Sequence, residues 1–282
     1  MAFRRNLYKS PAELRLMVAP GLATAASLDA VRSAIRPGVT TLELDAIAES
    51  TIRAMGGVPN FIKEPGYHHT ICASVNEEVV HGIPSGRVLE AGDLVSIDSG
   101  AEVGGWNGDA AISVVVPDPA RPALTEERQR LSDVTEQSLW RGIAALASAT
   151  HLNQIGGAIE DHIISESSAQ RGHPYGILED YVGHGIGRSM HEEPPVFNYR
   201  VRDRGPQVKP GLVVAIEPMV TLGGIDTYTR EDEWTVATSD GTAAAHWEHS
   251  VAVHARGIWV LTAQDGGAAG LARLGVVPVP IP

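Results

Sequence analysis

Four acidic residues sit inside apolar stretches whose alternation reads as β-strand. In Leu94-Val95-Ser96-Ile97-Asp98 the two-residue period puts Asp98 beside Ser96, with Val95 and Ile97 on the opposite face. By the same count Asp109 lies with Ala111 and Ser113, Glu217 with Ala215, and Glu248 with His246 and Ser250. Acids are depleted in strands and expensive to bury unpaired, so these placements need a cause. Each one alone fits a solvated strand face, or an inward charge that keeps a sheet edge from pairing. If the polar faces line one cleft, their carboxylates repel one another unless cations compensate them, and a metal site is the natural resolution. Oxygen-rich ligation suits Mn, Fe(II), Co or Mg better than a sulfur-seeking site.

Histidines extend this set. His184 lies in Gly183-His184-Gly185-Ile186-Gly187, which does not read as a phosphate loop because no helix starts in the following Arg188-Ser189-Met190-His191-Glu192-Glu193-Pro194-Pro195. The glycines around His184 are expected to let the backbone bend tightly and bring the imidazole to a cluster. Taken alone, a histidine in a glycine loop serves structure as readily as chemistry. His81 follows Val79-Val80 and precedes Gly82-Ile83-Pro84, a strand ended by a turn, while His68 and His69 are given no role.

The elements that must carry these residues fall in the order helices, strands, helices, strands. Ser10-Pro11-Ala12-Glu13 is a capping-box start for a helix to about Ile35, with a kink expected at Pro20. Thr40-Thr41-Leu42-Glu43 repeats the capping pattern before a second helix that stops at Gly56-Gly57. Thr125-Glu126-Glu127 opens a third, and Leu152, Ile155, Ile159 and Ile163 mark a fourth. Strands are predicted over Asp93–Val103, Trp106–Val116, Leu212–Val220, Thr229–Thr238 and Ala243–Ala255, with Ile258–Thr262 after a turn. An offset of 110 residues lays Thr40, Leu42 and Ala48 on Thr150, Leu152 and Ala158, as an internal duplication would and as chance also could. The division expected is an N-terminal extension over 1–9, one catalytic domain over 10–265, and a Gly/Ala/Pro-rich tail over 266–282 that packs loosely or is disordered.

Composition narrows the class. The chain has 282 residues, enough for a sizeable core, and its net charge of −12 argues against nucleic acid as a partner. Cys72 is the single cysteine, so no intramolecular disulfide and no C-x-x-C zinc module can form, which fits a reducing compartment. No apolar region follows Arg4-Arg5 as in a secretion signal, and no run of about 18 uninterrupted apolar residues occurs. A cytoplasmic protein without a membrane partner is the expectation.

His81-Gly82-Ile83-Pro84, Ile97-Asp98 with Gly108-Asp109, Gly183-His184-Gly185-Ile186-Gly187, His191-Glu192-Glu193-Pro194, Ile216-Glu217-Pro218-Met219 and Trp247-Glu248-His249 together resemble the methionine aminopeptidases. The motifs stand in that family's order and spacing from about Ser10 to Thr262. The resemblance implies an α+β "pita-bread" fold, a curved antiparallel sheet backed by two pairs of helices with pseudo-twofold symmetry. It implies that Asp98, Asp109, His184, Glu217 and Glu248 hold two divalent metal ions, Co, Mn, Fe(II), Zn or Mg, with Asp109 and Glu248 bridging them. His81 then resembles the histidine near the substrate's amine and His191 the one near the scissile carbonyl, while Tyr67, Cys72 and Trp234 match positions lining a methionine pocket. Phe61 and Met190 depart from residues common at that pocket.

The activity implied is removal of the initiator methionine from nascent chains with a small second residue, by a metal-activated water and with Glu217 as proton shuttle. Only 32 residues lie between His184 and Glu217, leaving no room for the helical insertion of type II enzymes, so the chain resembles type I. A monomer is expected, with the ribosome as a candidate partner. Two other readings share the fold: a Xaa-Pro aminopeptidase or dipeptidase, which usually carries a long N-terminal domain, and a non-catalytic peptide-binding module, which has typically lost ligands.

Overall fold

The computed structural model describes residues 7–169 and 175–282, without the side chain of Ala169. Residues 1–6 of the expected N-terminal extension lie outside the described residues. Both predicted capping boxes form. Ser10 and Glu13 cap α1 (Pro11–Leu16), and Thr40 and Glu43 cap α3 (Thr41–Ala54) reciprocally. The interruption expected at Pro20 falls earlier, at Met17, which separates α1 from α2 (Val18–Ala34). Proline 20 has no N–H for the Leu16 carbonyl and its ring crowds that carbonyl, so the turn before the proline gives way. The stretch Pro11–Ala34 is long and apolar enough to cross a membrane by length and composition. Here it is broken at Met17 and its Ala23, Ala25, Leu28 and Val31 are buried against the sheet.

Strand Leu94–Val103 pairs along its full length with Trp106–Val115, from Leu94↔Val115 to Val103↔Trp106. Gly104 and Gly105 make the two-residue turn with φ of 60° and 77°, a left-handed pair that matches strand twist. On the other side, Val213–Ile216 pairs with His249–His254, and Met219–Thr221 with Ala244–His246. Every strand pairing among the described residues is antiparallel. A seam joins the halves. The Ala111 amide and carbonyl bond to the Glu248 carbonyl and amide at 3.3 and 2.9 Å, and the Ser250 hydroxyl donates to the Asp109 carbonyl at 2.8 Å. The result is one curved antiparallel surface, the α+β architecture expected.

Two predicted strands are interrupted where the chemistry lies. Leu212–Val220 breaks at Glu217-Pro218, because Pro218 cannot donate to a ladder, and Ala243–Ala255 breaks at Trp247-Glu248, whose backbone turns to Ala111. Thr229–Thr238 is likewise two short strands, Thr227–Thr229 and Val236–Thr238, around a turn held by Asp232.

Helices α2 and α3 back the first half of the sheet. Helix α4 (Pro122–Leu146) and α5 (Gln154–Ala169) back the second. The third helix starts three residues before the expected Thr125, since Pro122 occupies the first turn, where its missing N–H is harmless. The 110-residue offset does not hold residue by residue: Leu42 is 44% exposed while Leu152 is fully buried. The tail is a clearer correction. A Cβ at Gly266 would sit 2.2 Å from the Trp259 ring and one at Gly270 2.2 Å from the Trp140 ring, so the glycines let this segment lie flat on two indoles. Leu271, in the short α6 (Ala268–Leu271), is fully buried.

Small residues set how closely α2 approaches the sheet. A Cβ at Gly21 would stand 2.4 Å from the Leu261 carbonyl oxygen, and one at Gly108 2.8 Å from the Gly21 nitrogen. Gly21→Ala is therefore expected to lower stability by about 1–3 kcal/mol through overpacking. A urea titration should show a lower midpoint at an unchanged slope, and a wild-type midpoint would mean the helix shifts without penalty.

Candidate metal centre

The eleven-residue spacing of Asp98 and Asp109 acts through the hairpin. Asp98 faces Ala111 and Asp109 faces Gly100 in the register, which makes the two acids diagonal neighbours on one face. Glu217 and Glu248 occupy the two strand breaks. Because His246 faces Met219 and His249 faces Ile216, the same register carried through the break sets Glu217 opposite Glu248. The Glu248–Ala111 bonds then lay this second pair against the first.

His184 reaches the cluster from the neighbouring strand, Gly183–Gly185, which pairs with both Val213–Ile216 and Glu192–Val196. Neither Gly183 nor Gly185 has positive φ, and the irregularity expected around His184 takes the form of a register shift between them against Glu192–Val196. A Cβ at Gly183 would instead lie 2.3 Å from the Ala215 carbonyl oxygen, and one at Gly185 2.2 Å from that of Glu193. Glycine here permits close approach of strands on either side. The His184 Nδ1 donates to the Gly185 carbonyl at 3.0 Å in the tautomer that leaves Nε2 free to accept. That Nε2 stands 3.8 Å from Asp109 Oδ2 and 3.5 Å from Glu217 Oε1.

Ligand atoms of Asp98, Asp109 and Glu248 lie within 4.8 Å of one another, as do those of His184, Glu217 and Glu248, and those of Asp109, His184 and His191. Burial pushes Asp98 up to about 7, with Glu217 adding to it, and pushes Glu217 up to about 7. Burial and the neighbouring carboxylates push Asp109 and Glu248 well above the carboxylate range. Among the described residues, the only ion-pair partners of these acids are His184 and His246, and burial lowers the basicity of both imidazoles. Asp98 Oδ1, Asp109 Oδ1 and Glu248 Oε1 are buried with no hydrogen-bond partner. So much unsatisfied negative potential is costly by itself, and a compensating divalent cation would satisfy those same oxygens. The residues present thus fit a hard or borderline metal, with carboxylate oxygens and one imidazole as donors.

One cavity brings together all ten residues named from the sequence: Tyr67, Cys72, His81, Asp98, Asp109, His184, His191, Glu217, Trp234 and Glu248. Its apolar end is a cluster of Phe61, Tyr67, Cys72 and Met190, with Ile83 and Trp234 packed against it. The Tyr67 hydroxyl donates to the Ile71 carbonyl at 2.8 Å, fixing a ring that meets Trp234 edge-on at 5.0 Å. Trp234 stands in the Asp232 turn rather than in a strand, its amide donating to Asp232 Oδ1 at 2.9 Å. Burial pushes the Cys72 thiol up, so it remains a soft neutral wall. His81 has φ of 59° and an edge contact with Tyr181, and the His191 ring lies 4.5 Å from that of His184.

His246 has no role in the sequence reading, yet it is 2% exposed with Nε2 3.6 Å from Glu217 Oε2. Its position two residues before Glu248 was the available signal. The strand break hid where that face leads.

The chain matches metallopeptidase family M24 over residues 15–255. It is similar to methionine aminopeptidase 1 of Mycobacterium tuberculosis, 48% identical over 255 residues that cover 90% of this chain and 94% of that protein. Methionine aminopeptidase 1 of Bacillus subtilis is 39% identical over 254 residues, 90% of this chain and 98% of that one. The crystal structure of methionine aminopeptidase from Thermotoga maritima has a TM-score of 0.84 to this fold at 34% identity, covering 91% of this chain and 99% of that chain.

Proposed function

The chain belongs to metallopeptidase family M24, and from that premise we propose that Asp98, Asp109, His184, Glu217 and Glu248 hold two divalent ions that serve removal of an N-terminal methionine. The activity is that of a metal-dependent methionine aminopeptidase. One observation carries the site assignment: four carboxylates converge on one buried seam where, among the described residues, two weakly basic imidazoles alone offset them. When bound, such ions lower the pKa of a shared water, polarise the scissile carbonyl and hold the substrate's free amine.

The chain's own groups complete the chemistry. Asp109 and Glu248, which the Ser250 and Ala111 hydrogen bonds tie across the seam, would be the carboxylates shared between the ions, the role the family resemblance implies for them. Glu217, with oxygens facing His184 and His246 at 3.5 and 3.6 Å, takes the proton from the attacking water and passes it to the leaving amine. His191 donates toward the carbonyl oxygen as charge develops there. His81 stands near the amine. Phe61, Tyr67, Cys72, Met190 and Trp234 form a pocket of aromatic faces and sulfur suited to a thioether. The proposed substrate is the nascent chain, met in the cytoplasm at or near the ribosome.

A panel of Met-X-Ser tripeptides, assayed for free methionine with Mn or Co, tests this reading. Rapid release is expected for X of Gly, Ala or Ser, little for bulky X, and none from N-acetylated peptides, whose amine is blocked. Preferential cleavage before proline after residues other than methionine would point to a Xaa-Pro enzyme. No hydrolysis with any metal would point to a peptide-binding module.

A further inference from the structure

We infer that Lys9 is a positioning residue for His191, acting through the carboxylate of Glu192. The inference rests on the role given to His191 above. Lys9 lies just before the α1 cap, 183 residues from Glu192, and its Nζ donates to Glu192 Oε2 at 2.9 Å. The pair is almost enclosed, with side-chain exposures of 6% and 13%. Glu192 uses its other oxygen, Oε1, to accept the Ser189 amide at 3.0 Å. The carboxylate therefore closes the Ser189–Glu192 turn on one side and is gripped by the ammonium on the other. His191 is the residue inside that turn next to Glu192.

The surroundings are built around the lysine. A Cβ at Gly187 would fall 2.6 Å from Lys9 Cε and 3.0 Å from both Glu192 oxygens, so only glycine leaves a channel for the side chain. Gly211, at φ of +101°, has its Cβ site 2.3 Å from the Lys9 carbonyl oxygen, and its own carbonyl accepts the Lys9 amide at 2.7 Å. On the far side of the turn, the Asn107 side chain donates to the Gly187 carbonyl at 2.9 Å.

Packing alone does not hold His191. It is exposed at the cleft, and among the described residues its ring meets that of His184 alone. A buried ion pair adds little net stability, because desolvation offsets the Coulomb attraction, so what the Lys9–Glu192 pair supplies here is fixed geometry rather than folding energy. A donor to a developing oxyanion is sensitive to that geometry, since a displacement of about 1 Å can cost about 10²-fold in rate.

The test is a double-mutant cycle on the Mn-loaded enzyme with Met-Ala-Ser. Lys9→Met, which keeps length without charge, is expected to lower kcat about ten-fold or more at nearly unchanged KM. In a His191→Ala background the same change should lower kcat less than about two-fold, because the group being positioned is gone. Glu192→Gln is the second variant should Lys9→Met not fold, and the same non-additivity is expected of it. Equal losses in both backgrounds, or an unchanged kcat for Lys9→Met beside a slow His191→Ala, would overturn the inference. A fast His191→Ala enzyme would instead overturn the reading of His191 on which it rests.

Discussion

Asp109→Asn is expected to abolish release of methionine from Met-Ala-Ser while leaving the fold intact. The side chain is buried, one oxygen has no hydrogen-bond partner, and the other faces the His184 Nε2 at 3.8 Å. An amide of the same shape fills that space, so packing is preserved. Its nitrogen cannot serve as a ligand between two cations. In the metal-free protein burial and the neighbouring carboxylates already drive Asp109 toward its neutral form, so a neutral amide in its place should leave the melting temperature where it is. Divalent ions that bind the folded state should raise the melting temperature of the wild-type protein by mass action and raise that of the variant much less. Near-wild-type turnover by metal-loaded Asp109→Asn protein would refute the bridging assignment.

His191→Ala is expected to lower kcat by about 10²–10³ with little change in KM, the loss typical of one donor to a developing oxyanion. Its imidazole lies beside that of His184, with ligand atoms of Asp109, His184 and His191 within 4.8 Å of one another. That places it at the edge of the ligand cluster, where a scissile carbonyl would be presented. A contact that strengthens only in the transition state changes kcat and kcat/KM together. A rise in KM at constant kcat would make His191 a residue that binds the ground state. Loss of bound metal in the variant would make it a ligand.

What the sequence disclosed was mostly local. The Asp98–Asp109 spacing is legible because a two-residue glycine turn fixes the register, and both capping boxes are legible because each closes within four residues. Alternation also showed which strands carry acids. Alternation alone missed both breaks: the one at Glu217-Pro218 was legible in the proline, which cannot donate to a ladder, whereas the one at Trp247-Glu248 was not, because the Glu248 backbone leaves its own ladder for Ala111, a partner 137 residues away in sequence. The glycines around His184 were visible, but their reason is the crowding of Ala215 and Glu193 from other strands. The C-terminal segment looked loose from composition alone. Its glycines are accounted for by the rings of Trp140 and Trp259, which only the tertiary structure brings underneath. The Lys9–Glu192 clamp joins residues 183 apart in sequence that no periodicity connects.

The proposed metal centre lies at the seam between the two sheet halves and is built from Asp98, Asp109, His184, Glu217 and Glu248. Anomalous-scattering maps from crystals of protein purified without added metal, and again after loading with Mn, address it directly. The expected result is two peaks after loading, both ligated by those side chains and lost in Asp109→Asn crystals. Peaks confined to other residues, or a loaded protein that hydrolyses Met-Ala-Ser with no peak at the seam, would contradict it.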